Sequence, residues 1–167
     1  MSDAAPPIIE GDLEGHGLRI GIVQSRFNMA VCDTLARSCV ETLQRHGVAS
    51  GDILHVRVPG AFEIPQGART LAKRGGLDAI VCIGAVIRGE TPHFDFVSTE
   101  ACRGVSRVHE DYGVPTVLGI LTTDDMAQAL ARCGDGAAGD KGAEAATVAI
   151  EMARLTRKLT AGETPLM

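Results

Sequence analysis

Four residues able to do chemistry, Arg88, Glu90, Thr91 and His93, arrive together directly behind a charge-free run of Ile, Val, Ala and Gly that starts at Ala79. Such a run reads as a parallel strand buried on both faces. In open α/β sheets, ligands sit outside the carboxyl ends of the strands. A guanidinium, a carboxylate, a hydroxyl and an imidazole at that place therefore point to a site that binds charge and moves protons. A plain strand-to-helix turn would also use Thr91 as a cap and Pro92 as the first helical residue. It would not use Arg88 or His93.

The rare aromatic rings sharpen the case. The chain has no Trp, one Tyr and four Phe, so its core is aliphatic, yet Phe27, Phe62, Phe94 and Phe96 all come after expected strands. Rings at the mouth of a sheet can stack on a planar heterocycle, an arrangement that contributes roughly 0.5–1.5 kcal/mol beyond area burial. Phe27 and Phe62 stand in turns and are read as ligand contacts, whereas Phe94 and Phe96 are read as inward helix packing. Arg132 and Lys141 flank the glycine-rich stretch from Gly134 to Gly139. Cations around flexible backbone donors suit a phosphate, and they equally suit a solvated loop that complements a helix terminus. Neither glycine-rich nucleotide fingerprint comes after any expected strand, so a nucleoside triphosphate or dinucleotide is not supported. His16, His46, His55 and His109 lack comparable company and read as ordinary surface or loop histidines.

The elements that must position these groups alternate along the chain. Strands are expected over Leu18 to Val23, Ile53 to Val58, the run from Ala79, and Pro115 to Leu121. Between them, Asn28 caps a helix striped by Cys32, Leu35, Cys39 and Leu43 and closed at Gly47, and a short helix runs from Pro65 to Lys73 and Arg74. Val97, Ala101, Val105, Val108 and Tyr112 recur at helical spacing. Thr123 with Asp124 and Asp125 opens a further helix, and a last one from Lys141 to Leu159 carries Ala146, Ile150, Ala153 and Leu155. Repeated strand and helix imply an α/β fold with a doubly wound, four-stranded parallel sheet and right-handed crossovers.

Length and charge bound the rest. The chain's 167 residues suit one domain over residues 18–160, with tails at 1–17 and 161–167. With 16 Lys and Arg against 21 Asp and Glu, the net charge of -5 gives no broad basic field for nucleic acid or an anionic membrane. Cys32, Cys39, Cys82, Cys102 and Cys133 show no zinc-ligand spacing and read as small buried hydrophobes in a reducing compartment. No basic n-region or run of about 18 apolar residues is seen, so the expected location is cytoplasmic.

GIVQSRFN, VPGAFEIP, GAVIRGETPHFDFV, GILTT and RCGDGAAGDKGAEAA match, in order, the pattern of the 6,7-dimethyl-8-ribityllumazine synthase family, which the chain resembles from about Gly11 to Leu159. The resemblance implies a flavodoxin-like three-layer α/β/α sandwich, with a short amino-terminal strand from about Ile8 to Gly11 added to a neighbouring subunit. It implies a homopentamer with sites between subunits, and a transferase of riboflavin biosynthesis. That enzyme condenses 5-amino-6-(D-ribitylamino)uracil with 3,4-dihydroxy-2-butanone 4-phosphate, without metal or organic cofactor. Carried over by position, Phe27 would stack on the pyrimidine, and Ala61, Phe62 and Glu63 would hold the uracil and ribityl chain. Val86 and Ile87 would contribute backbone contacts, Glu90 and Thr91 would offer amides to the phosphate, and His93 would transfer protons. Arg132 of the adjacent subunit would pair with the phosphate, with Lys141 nearby. Leu118 departs from the aromatic residue that many members carry there, which replaces ring stacking by aliphatic contact. Riboflavin synthase stands as a further candidate partner. A non-catalytic flavin or lumazine binder and a capsid scaffold are the alternatives implied by the same fold. The loop between Arg132 and Lys141 looks about one residue longer than in capsid formers, which favours an isolated pentamer.

Overall fold

The computed structural model describes residues 5–162; the ends of the two expected tails, 1–4 and 163–167, lie outside the described residues. Four strands, β1 (Ile20–Ser25), β2 (Ile53–Val58), β3 (Ala79–Ile87) and β4 (Thr116–Thr123), form one parallel sheet in the order β2-β1-β3-β4. The helices are α1 (Met29–Arg45), α2 (Ile64–Arg74), α3 (His93–Tyr112), α4 (Met126–Leu130) and α5 (Lys141–Thr160). Side chains alternate across each strand, and this splits the core into two layers. Ile20, Ile22, Val81 and Ile83 face α1 and α5, while Val23, Ile80, Cys82 and Ile120 face α2 and α3. The result is the expected three-layer sandwich.

Several expected boundaries move. β1 starts at Ile20 rather than Leu18 and runs on to Ser25, because the buried Gln24 amide is satisfied by the Asp33 carboxylate and the His55 ring at 2.8 Å. β4 likewise continues past Leu121 to Thr123. Asn28 stands at the start of α1 but does not cap it: its backbone is left-handed at φ 57°, and its side-chain amide donates instead to the Ala85 carbonyl at 3.0 Å. Pro92 sits just outside α3 rather than in its first turn, and the Thr91 hydroxyl accepts from the His93 amide at 3.4 Å. Asp125 caps α4, accepting from the Gln128 amide at 2.7 Å. Leu155 is only half-buried, and the buried stripe of α5 is Gly142, Ala145, Ala146, Ala149, Ile150 and Ala153. Cys32, Cys39, Cys82 and Cys133 are buried as expected, with Cys102 partly so.

The described part of the amino-terminal tail is coil and lies along α5 of its own chain. Arg154 donates to the His16 carbonyl at 2.7 Å, Arg157 to the Gly17 carbonyl at 2.8 Å, and Lys158 to the Glu10 carbonyl at 3.1 Å. Ile8, ahead of these anchors, is exposed.

Small residues let α5 approach α1 closely. A Cβ added at Gly142 would press into the Leu35 backbone carbonyl, which has no rotamer with which to yield. Gly142→Ala is therefore expected to destabilise the fold by about 1–3 kcal/mol through overpacking. Calorimetry should show a melting temperature lowered by several degrees, and an unchanged melt would mean that the helices separate freely.

Candidate active site

The carboxyl ends of β1, β2 and β3 open onto a cleft of about 760 Å³. The turn after β1 is pinned to the end of β2: the Arg26 amide donates to the Val58 carbonyl at 2.9 Å and the Phe27 amide to the Pro59 carbonyl at 3.1 Å. The Cys32 thiol adds a bond to the Phe27 carbonyl at 3.3 Å, and Asn28 ties the other side of the turn to β3. With its backbone fixed on three sides, the Phe27 ring projects into the cleft and is 71% exposed. Ala61, Phe62 and Glu63 form a single 3-10 turn after β2 and line the opposite wall, with Phe62 59% exposed. Val86 and Ile87, the last residues of β3, form part of the floor.

His93 is the first residue of α3 and lines the same cleft, together with Thr91. Glu90 is exposed on the loop between β3 and α3 and does not line it. Among the described residues, the amides of Gly89, Glu90 and Thr91 make no hydrogen bond, so three consecutive donors stay free beside a helix amino terminus. Free amides at the positive end of a helix dipole favour an anion. Arg88 pairs with carboxylates: its Nε donates to Asp124 at 3.1 Å and its Nη1 to Asp95 at 3.3 Å. Phe94, which also lines the cleft, packs inward against the α2–α3 layer with the Arg88 guanidinium 4.2 Å from its ring centroid. Phe96 does not: it is 70% exposed and lines the cleft, against the inward packing expected of it. Asn28 and Glu100 are thus cleft residues that the sequence does not mark as such, and Phe96 is one that it marks as a ring but turns the wrong way. The last two are nevertheless legible, since residues 93, 96 and 100 obey the helical repeat and share one face of α3.

The remaining candidates lie elsewhere. A second groove, of about 620 Å³, runs between the exposed edge strand β4 and α5, and Leu118, Arg132 and Lys141 line it. The Lys141 amide donates to the Arg132 carbonyl at 2.9 Å, closing the glycine-rich loop and bringing the two cations to one end of the groove. Arg132 Nη1 donates to the Gln128 carbonyl at 2.9 Å, and Lys141 Nζ pairs with Glu144 at 2.7 Å. Leu118 offers a half-exposed aliphatic surface beside Val148 and Met152. Cleft and groove share no lining residue. Within one chain, the site residues therefore fall into two groups: an aromatic and proton-transferring one, and a cationic one.

The profile of the 6,7-dimethyl-8-ribityllumazine synthase family matches residues 17–157, a span that holds both the cleft and the groove. The chain belongs to this family. It is 53% identical over 148 residues to the 6,7-dimethyl-8-ribityllumazine synthase of Burkholderia multivorans, covering 89% of this chain and 83% of that protein. The enzyme of the same name from Burkholderia vietnamiensis is 52% identical over 148 residues, covering 89% and 85%. Family membership makes the chain a transferase of riboflavin biosynthesis with an α/β fold. Among the described residues, no cluster of three metal-ligating side chains occurs, and no helix is long and apolar enough to cross a membrane.

Proposed function

We propose that the protein condenses 5-amino-6-(D-ribitylamino)uracil with 3,4-dihydroxy-2-butanone 4-phosphate to 6,7-dimethyl-8-ribityllumazine in the Phe27 and His93 cleft, completed by Arg132 and Lys141 of a neighbouring subunit in a homopentamer. The observation that carries this is the meeting, in one cleft, of exposed rings, a carboxylate, an imidazole and the unbonded amides of Gly89 and Thr91. Phe27 and Phe62 offer faces for the flat pyrimidine, and Glu63 accepts from ribityl hydroxyls. The amides of Glu90 and Thr91 hold the phosphate at the start of α3. The amine attacks the ketone, water leaves to give an imine, phosphate is eliminated, and the ring closes with loss of a second water. His93 donates and accepts the protons that these steps move, while the closeness of two held substrates supplies the remaining rate. A non-catalytic binder would need no imidazole poised beside a phosphate site.

The pentamer is supported by the groove along β4, which presents Leu118, Val148 and Met152 to solvent next to two cations. From one domain spanning 18–160, the described tail ahead of its Glu10 anchor, from about Ile8, then reaches a neighbouring sheet, and the enzyme works in the cytoplasm. The direct experiment mixes the purified protein with both substrates and monitors lumazine absorbance; no product would end the reading.

Arg132→Ala tests the groove. A guanidinium paired with phosphate makes a charge-assisted contact, so the Michaelis constant of the butanone phosphate is expected to rise about tenfold or more while that of the pyrimidine changes little. Equal effects on both substrates would assign Arg132 to holding its loop.

A further inference from the structure

We infer that Arg88 is a positioning residue for His93, clamping the Gly89–Pro92 loop from behind. The inference rests on the proposed catalytic role of His93. Arg88 does not line the cleft, so it cannot act by touching substrate there. Its backbone continues the sheet, the amide donating to the Thr123 carbonyl at 2.9 Å, and this anchors it to the end of β4. From that anchor its guanidinium engages the two residues directly after His93. It stacks 4.2 Å from the Phe94 ring centroid and donates to Asp95 at 3.3 Å. Its Nε donates to Asp124 at 3.1 Å, on the segment between β4 and α4.

The loop itself has little else to hold it. Its described bonds run within itself and to the first turn of α3, where the Asp95 amide donates to the Pro92 carbonyl at 2.9 Å. One planar cation thus fixes the start of α3 to the end of the sheet across a loop whose amides are free. Three contacts in three directions require a flat, forked group: a lysine ammonium could supply the charge but neither the second donor in the plane nor the stacking face. Releasing the clamp lets the first turn of α3 shift, and a shift of about 1 Å at a reacting group costs up to roughly 100-fold in rate.

Arg88→Ala is therefore expected to lower kcat by about 10- to 100-fold while the Michaelis constant of the pyrimidine, held mainly by Phe27 and Phe62, stays within about twofold. Arg88→Lys should be nearly as slow, since charge alone does not restore the bridge. The deciding measurement is a double-mutant cycle. On a His93→Ala background, Arg88→Ala should cost less than about threefold, because there is no imidazole left to place. An undiminished loss on that background would overturn the positioning role while leaving the catalytic role of His93 intact. Near wild-type turnover of His93→Ala itself would overturn both. A kcat for Arg88→Ala within about twofold of wild type would overturn the clamp alone. Should Arg88→Ala fail to fold, Asp95→Asn removes one exposed carboxylate and carries the same cycle, with a few-fold loss that disappears on the His93→Ala background.

Discussion

Replacing His93 by alanine is expected to lower kcat by about 10²- to 10⁴-fold, the range typical of a lost general acid–base group. The protein should remain folded. His93 is exposed at the first position of α3, its backbone amide donates to Thr91, and among the described residues its side chain makes no hydrogen bond, so the substitution removes neither packing nor a side-chain bond. Substitutions at such positions change stability by about 0.5 kcal/mol or less. The rings and amides that bind the substrates belong to other residues, so both Michaelis constants should move far less than kcat. Steady-state kinetics beside a thermal melt check this. Turnover near that of the unmodified protein would leave proximity of the two substrates as the source of rate, and imidazole without a part in it.

The cleft is legible in the sequence because its parts are local. The charge-free run of β3 announces a buried strand, and residues next in the chain after such a strand lie at its carboxyl end in space. Phe27 and Phe62 yield to the same logic, each one turn beyond a strand. Local logic fails where a distant partner decides the outcome. Gln24 reads as lying beyond β1 because a buried amide needs bonds, and its partners, Asp33 and His55, come from α1 and the edge strand. Asn28 reads as a cap, yet its amide crosses to Ala85 on β3, and the left-handed backbone that Asn tolerates better than most residues makes that possible. Phe96 is misplaced when ring burial is weighed above helical period. The convergence of Arg132 and Lys141 depends on two backbone bonds across their loop, from the Ala138 amide to the Ala131 carbonyl and from the Lys141 amide to the Arg132 carbonyl, which no spacing rule reveals. Their distance from His93 in the chain carries no sign of which subunit they serve; that expectation comes from resemblance alone.

The separation of cleft and groove leads to the other large effect. If each site takes His93 from one subunit and Arg132 from the next, then neither His93→Ala nor Arg132→Ala makes a complete site alone. A mixture of the two does. Two different surfaces meeting head to tail generate a closed ring, so every interface receives one cleft and one groove. In a fully exchanged equal mixture, about a quarter of interfaces combine an intact His93 from one parent with an intact Arg132 from the other; assayed with the butanone phosphate well below its Michaelis constant, where Arg132→Ala alone is about tenfold or more slower, activity should recover toward about a quarter of the unmodified level. The geometry leaves little room for a substitute within one chain, because the two cavities have no wall in common and both cations are already held at the β4 edge by Gln128 and Glu144. Exchange is verified by native mass spectrometry of differently tagged subunits, and lumazine formation is then measured in the same sample. Recovery only after exchange supports the shared site. Absence of recovery despite complete exchange would place His93 and Arg132 at one site of a single chain, and a monomer by light scattering would remove the neighbour that the proposal requires.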